Sequence, residues 1–172
     1  MKTITLITII LIGITMAKNN ELKVGDVAPD FTLQDQNEQE HTLSNYFGKK
    51  MVVYFYPKDD TPGCKKEACS IRDNYALFEE NDIVVFGLSY DSPASHKKFA
   101  EKYDLPFTLL SDTEKSVAKL YNSTGLLMAK RNSFLINTDG KIFKIYKNVD
   151  VTSHTSNILD DFEALDSNKE QK

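Results

Sequence analysis

Two continuous apolar runs, at 51–56 and 83–89, predict strands that are buried on both faces. Apolar residues at helical spacing follow each run and predict helices over 64–80 and from Ser92 to Tyr103. The second helix has a serine cap and a proline in its first position. Strands and helices therefore alternate along the middle of the chain.

Shorter alternating runs complete this pattern and predict two hairpins, a further strand and two more helices. The hairpins cover 31–43 and 133–146, the strand 107–110, and the helices 113–121 and 155–165. Together these elements predict one α/β domain with a mixed central β-sheet, helices on its faces and an N-terminal β-hairpin. In such sheets, sites form beyond the C-terminal ends of strands.

The first residues differ in pattern from the rest. Lys2 precedes an apolar run over 3–17, which is shorter than the roughly 20 residues of a membrane-spanning helix. The outline predicts a cleaved signal peptide at 1–17, a domain at 18–166 and a polar tail at 167–172. Export to the periplasm or out of the cell follows from cleavage; an uncleaved N-terminal anchor or a cytoplasmic location is the alternative.

Composition and motif content argue against several classes of function. The 172 residues carry a net charge of −4 with no basic stripe, which argues against nucleic-acid binding. His41, His96 and His154 are scattered and none stands at ligand spacing from a cysteine, so no metal site is predicted. No phosphate loop or dinucleotide motif is present, and no cofactor is expected. His96 follows a capped helix start, which predicts a surface position.

Chemistry concentrates in the segment Tyr56–Cys64, which follows the 51–56 strand. If Thr61 caps the next helix, Pro62 takes its first position and Cys64 its third. The free N–H groups and the macrodipole at a helix start stabilise a thiolate there. The Thr61 hydroxyl could point at the sulfur or at what the sulfur attacks. The less specific interpretation is a plain cap beside an inert, buried thiol.

Cys64 and Cys69 are the two cysteines of the chain. Five helical residues put their Cα atoms roughly 8–9 Å apart, whereas a disulfide needs about 7 Å or less. An intact helix therefore keeps the two thiols apart, and a disulfide requires its first turns to unwind. The spacing favours a redox cycle over a permanent bridge, although an exported protein could still carry a structural disulfide.

Several motifs stand in order along the chain: Tyr56-Pro57-Lys58-Asp59-Asp60-Thr61-Pro62-Gly63-Cys64, Glu67-Ala68-Cys69, Arg72-Asp73, Asp91-Ser92-Pro93-Ala94-Ser95-His96, residues 105–112 and Arg131-Asn132-Ser133-Phe134-Leu135-Ile136. Together they resemble the motifs of the peroxiredoxins, and in particular of their bacterioferritin-comigratory (Q-type) subfamily. The similarity covers roughly residues 22–165. It implies a thioredoxin-like fold and the reduction of hydroperoxides by a thiol.

By position, the resemblance implies that Cys64 is the peroxidatic cysteine and Cys69 the resolving one, with Thr61, Pro57 and Arg131 completing the site. It further implies a monomer, a sulfenic acid on Cys64 and a disulfide that thioredoxin or a similar dithiol reduces. Lys65 and Lys66 depart from the usual pattern and are expected to be solvated surface.

Two alternatives remain open on the sequence. One is an exported thiol–disulfide oxidoreductase acting on proteins; the other is a non-enzymatic domain with a structural Cys64–Cys69 bridge.

Overall fold

The computed structural model describes residues 21–170, so the predicted signal peptide lies outside the described residues. Seven strands follow one another as β1 Thr32–Asp35, β2 Glu40–Thr42, β3 Lys50–Phe55, β4 Ile83–Ser89, β5 Thr108–Ser111, β6 Asn132–Ile136 and β7 Ile142–Lys147. The five α-helices are α1 Pro62–Asp73 and α2 Tyr75–Glu80 between β3 and β4, α3 Pro93–Tyr103 before β5, α4 Ser116–Leu120 before β6, and α5 His154–Glu170 after β7.

The strands form a single mixed sheet in the order β2-β1-β5-β4-β3-β6-β7. Strand β4 is parallel to β3 and to β5, whereas the remaining pairs are antiparallel. β3 lies inside the sheet and is buried at all six positions. The loop after β3 therefore starts at the C-terminal end of a central strand, where sites form in sheets of this kind, as the sequence predicts.

The core is divided by the sheet into two layers. Val52 and Tyr54 of β3 face one layer, which α1, α2, α3 and α5 complete, and Val53 and Phe55 face the other, which α4 completes. This alternation is the period-2 pattern of a strand covered on both faces. No helix among residues 21–170 is long and apolar enough to cross a membrane.

The single helix predicted over 64–80 is two helices in the structure, because the helical conformation is interrupted at Asn74. Asn74 has φ −111° and ψ 12°, and its side-chain amide donates to the Ser70 carbonyl at 2.9 Å. Asparagine competes for backbone groups in this way, which ends a helix where apolar spacing alone would continue it.

Two other helices have different lengths from those predicted. α4 begins at Ser116 rather than Thr113, because the Asp112 carboxylate accepts from the N–H groups of Val117 and Ala118 and shapes the preceding residues into a turn. α5 continues to Glu170 rather than ending near Leu165, so residues 166–170 are helical. Apolar spacing, which marks the buried part of a helix, does not report this solvated extension.

Candidate active site

The helix start that carries Cys64 is built as the sequence predicts. Thr61 is the extended N-cap of α1 with φ −79° and ψ 152°, and Pro62 opens the helix. Cys64 then stands in the first turn, and its side chain is 2% exposed. The first-turn N–H groups have no partner within the helix, so the Cys64 sulfur lies at the positive end of α1.

The Thr61 side chain, three residues before Cys64, neither caps the helix nor points its hydroxyl hydrogen at the sulfur. Its hydroxyl donates to the Lys58 carbonyl at 3.0 Å, and its side chain does not cap α1. The hydroxyl oxygen keeps its lone pairs, while its hydrogen ties the Lys58–Thr61 turn together. In this conformation Thr61 shapes the loop rather than donating to the sulfur.

Arg131 reaches the sulfur from the start of the strand next to β3. The residue directly precedes β6, which pairs with β3, and its Nη2 donates to Cys64 Sγ at 3.1 Å. The side chain is 17% exposed. Burial lowers the pKa of the guanidinium, but the charges of Glu67 and Cys64 outweigh burial and hold that pKa above its usual value. A fixed cation thus lies against the thiol that the sequence singled out.

A fully buried carboxylate fixes Arg131. Glu67 is 0% exposed and accepts a hydrogen bond from Arg131 Nη1, so the guanidinium bridges the carboxylate and the sulfur. His154, the first residue of α5, places Nδ1 at 2.9 Å from Glu67 Oε1, an ion-pair distance without the alignment of a hydrogen bond. Glu67 belongs to one of the motifs of the family resemblance, and its i, i+3 spacing from Cys64 is the signal that could identify it; no sequence pattern predicts a role for His154.

Gly63 leaves the room that the guanidinium occupies. A Cβ at this position would lie 3.3 Å from Arg131 Nη2. That contact is tight, so any side chain at 63 would displace the group that bonds Cys64 Sγ. The requirement at Gly63 is therefore one of close approach and not of backbone angle.

Cys69 shares α1 with Cys64, and both thiols are free. Its side chain is partly exposed, in contrast to Cys64. The helix between them is uninterrupted, which keeps the two sulfurs apart as the spacing argument predicts. Directly after Cys69, Ser70 Oγ donates to Thr155 Oγ1 at 2.8 Å, so α5 contacts the middle of α1 at two points, through Thr155 and through His154.

A second buried network holds the loop between β3 and α1. The Asp59 carboxylate accepts from Tyr56 Oη at 2.7 Å and from Ser95 Oγ at 2.7 Å, and it lies 3.0 Å from His96 Nδ1. The backbone N–H of Asp59 donates to Asp91 at 2.9 Å. These bonds tie the loop to β4 and α3 and so fix the position from which α1 starts.

The surface position predicted for His96 is wrong. The side chain is 0% exposed, and its Nε2 donates to the Leu110 carbonyl at 3.2 Å. His96 lies on the first turn of α3, on the side of the helix that faces the sheet. The carboxylate of Asp59 offsets the free-energy cost of burying the imidazole. A sequence pattern identifies the helix but not the acidic partner, which is 37 residues away.

The remaining predicted positions lie around this centre. Pro57 is partly exposed and lines a surface cleft of about 280 Å³ with Tyr90 and Leu127. Lys65 and Lys66 are exposed, as predicted, and Lys65 Nζ lies 5.8 Å from the centre of the Tyr103 ring. Within the described residues, no group of three or more His, Cys, Asp or Glu side chains is arranged to hold a metal ion.

Comparison with known proteins gives concordant matches. The sequence pattern of the AhpC/TSA family matches residues 24–145, which include the cysteine loop and Arg131. A putative peroxiredoxin bcp of Coxiella burnetii is 40% identical over 149 residues, covering 80% of this chain and 97% of that protein. Peroxiredoxin Bcp of Bacillus subtilis is 40% identical over 146 residues, covering 80% of this chain and 93% of that protein.

The three-dimensional comparison agrees with the sequence matches. The crystal structure of peroxidoxin BcpB from Mycobacterium tuberculosis superimposes with a TM-score of 0.80 at 34% identity. The match covers 84% of this chain and 98% of that one. The similarity thus extends over nearly all of the described residues.

Proposed function

Since this chain belongs to the AhpC/TSA family, as a peroxiredoxin of the Bcp/peroxiredoxin Q type with a thioredoxin-like fold, and is therefore a thiol peroxidase, we propose that Cys64 is its peroxidatic residue and Cys69 its resolving residue. One observation carries this proposal: the guanidinium of Arg131 contacts Cys64 Sγ at 3.1 Å at the start of α1.

In the first step the Cys64 thiolate attacks one oxygen of the hydroperoxide. An S–O bond forms as the O–O bond breaks, the sulfur is oxidised to a sulfenic acid, and the second oxygen leaves as an alcohol or water once it takes up a proton. Negative charge grows on that leaving oxygen. In this proposal the Arg131 guanidinium and the first-turn N–H groups stabilise that charge.

Thr61 and Pro57 have supporting roles in this proposal. The Thr61 hydroxyl, which bonds the Lys58 carbonyl in the free enzyme, needs a small rotation to contact a bound peroxide. Pro57, which lies in the loop between β3 and α1, would limit the access of water to the sulfenic acid. Neither role requires a cofactor.

In the second step α1 unwinds far enough for Cys69 to reach Cys64. The Cys69 thiol displaces water from the sulfenic acid, which leaves an intramolecular disulfide. An external dithiol, thioredoxin or a protein like it, then returns both cysteines to thiols by exchange. The cycle produces one water or alcohol from the peroxide and one water at resolution, and the dithiol supplies the two electrons.

We propose further that the enzyme acts as a monomer after export, with residues 1–17 removed. The resemblance to the Q-type peroxiredoxins supports the monomer, and the charge and apolar pattern of residues 1–17 supports export. Mass spectrometry of the mature N-terminus in fractionated cells tests it, because an intact Met1 in the cytosol would contradict export.

Peroxide consumption with dithiothreitol as reductant tests the assignment of the two cysteines. Cys64→Ser should abolish turnover, whereas Cys69→Ser should consume one equivalent of peroxide and accumulate a sulfenic acid on Cys64. Arg131→Met should slow the oxidation of Cys64 roughly 100-fold, and the exposed neighbour supplies the matched control Lys130→Met. Equal rates for wild type and Cys64→Ser would contradict the proposal.

A further inference from the structure

An apolar turn projects from the protein beside the loop that leads into α1. Leu126, Leu127 and Met128 are 93%, 79% and 45% exposed. Soluble proteins commonly expose single apolar side chains, but a run of three at this exposure marks a contact surface. We call residues 124–128 the apolar turn.

The apolar turn is a built feature with fixed ends. The backbone N–H of Lys130 donates to the Ser123 carbonyl at 2.7 Å, and the Asn132 side chain donates to Ser123 Oγ at 3.1 Å. A Cβ at Gly125 would lie 2.2 Å from the Met128 carbonyl oxygen, so the turn closes over a position that holds a glycine. The fold therefore holds the three apolar side chains outward.

Lysines stand on both sides of the apolar turn. On one side Lys115, Lys119 and Lys130 line a surface cleft of about 490 Å³ together with Thr124. On the other side Lys58 lines the cleft of about 280 Å³ that contains Leu127.

Two acidic residues share these clefts, Glu114 in the first and Asp91 in the second. The Asp91 carboxylate is turned inward, because it accepts from Ser89 Oγ at 2.7 Å and from the backbone N–H of Asp59. Glu114 is exposed, so the four lysines of the two clefts outnumber one outward carboxylate, and the charge around the apolar turn is positive on balance.

We infer that the apolar turn and its lysines form a contact surface for a bilayer of anionic phospholipid. Aliphatic side chains enter the boundary between headgroups and acyl chains, and lysines around them bind anionic headgroups. A stable protein interface uses roughly 20–30 residues a side and aromatic or arginine anchors, which three aliphatic side chains do not provide.

Tryptophan fluorescence tests this contact directly, because the chain contains no tryptophan. The full chain with Leu127→Trp is mixed with vesicles of phosphatidylcholine and phosphatidylglycerol, with and without bromine on the acyl chains. The emission should shift to the blue, and brominated lipid should quench at least half of it. The matched control Leu77→Trp lies on α2 in the opposite layer and is 43% exposed; it should change in neither respect.

A second set of variants separates charge from apolar contact. In the Leu127→Trp background, Lys115→Gln, Lys119→Gln and Lys130→Gln together should weaken binding to anionic vesicles at least tenfold and leave any weak binding to pure phosphatidylcholine unchanged. Equal quenching of Leu127→Trp and Leu77→Trp would overturn the inference. A blue shift that depends on protein concentration and needs no lipid would assign the surface to a second copy of the chain.

The quenching experiment uses no peroxide and gives the same answer in a Cys64→Ser background, so it stands apart from the proposed function. A second readout rests on that function. Replacing Leu126, Leu127 and Met128 by serine should slow the reduction of a phospholipid hydroperoxide in vesicles several-fold and leave the rate with hydrogen peroxide unchanged. Loss of both rates would point to a damaged site, and no change in either would contradict a contact that serves catalysis.

Discussion

His154 Nδ1 lies 2.9 Å from Glu67 Oε1, so a residue at the start of α5 contacts the carboxylate that fixes Arg131 against Cys64. Both side chains are buried, with His154 2% and Glu67 0% exposed. The geometry at the sulfur is thereby linked to the docking of the C-terminal helix.

Glu67→Gln should lower both stability and the rate of Cys64 oxidation. The change leaves the Arg131 guanidinium without its counter-charge, and breaking a buried pair in this way costs roughly 3 kcal/mol. Urea unfolding measures the loss of stability, and single-turnover oxidation measures the rate. Glu163→Gln, on the exposed face of α5, is the matched control and should change neither. Wild-type oxidation in Glu67→Gln would contradict a role for Glu67 in positioning Arg131.

Gly63→Ala should slow oxidation without unfolding the protein. Its Cβ would stand 3.3 Å from Arg131 Nη2, so the guanidinium must move a few tenths of an ångström away from the sulfur. We expect a rate several-fold lower, and a still lower rate for Gly63→Val. Stopped-flow oxidation compares the variants, and circular dichroism checks the fold. The prediction is wrong if the two variants react as fast as wild type.

The Asp59 network should make the fold sensitive to acid. Burial raises the pKa of Asp59, but hydrogen bonds from His96, Tyr56 and Ser95 outweigh burial and hold the pKa below its usual value of 3.8. A lowered pKa in the folded state means that the carboxylate stabilises the fold at and above pH 3.8, and that this contribution is lost as the pH falls through the lowered value.

Asp59→Asn removes that titration. Its unfolding midpoint in urea should therefore fall less steeply with pH below about 4 than that of wild type. Asp160→Asn, an exposed change on α5, should keep the wild-type slope. Identical slopes for Asp59→Asn and wild type would show that another group dominates the acid response.

Thr155→Val should speed the formation of the Cys64–Cys69 disulfide. The substitution keeps the shape of a buried side chain but removes the partner of Ser70 Oγ, which lies one residue beyond Cys69. A hydrogen bond of this kind contributes about 1 kcal/mol, so α1 should open more readily, and disulfide formation should rise several-fold. Acid quenching after a peroxide pulse measures it. Thr152→Val, which loses an exposed contact with Asp150, is the control.

The sequence predicted the parts of this molecule that rest on local pattern. Continuous apolar runs identified the two central strands and alternating runs the hairpins, and the order Thr61, Pro62, Cys64 identified the helix start, because caps and burial patterns depend on adjacent residues. The family, the peroxiredoxin fold and the peroxidase class are confirmed. The individual catalytic roles stay predictions.

The parts that sequence reasoning missed depend on contacts between distant segments. His96 can be buried because it contacts the carboxylate of Asp59, which lies 37 residues earlier in the chain. Likewise, Glu67 accepts a hydrogen bond from Arg131, which lies 64 residues later. No single-sequence pattern encodes such pairs. The break at Asn74 was missed for a different reason, since one side-chain bond to Ser70 decided it against a continuous apolar stripe.

That break gives the protein a separate, small cooperative unit. α1 ends at Asp73, and α2 starts at Tyr75 with Phe78 fully buried beneath it. Unwinding of α1 from Pro62 can therefore stop at Asn74, while α2 stays packed on the sheet. If Cys69 resolves Cys64 as proposed, the cycle requires a local opening of at most 12 residues, whose free energy should lie well below the free energy of global unfolding.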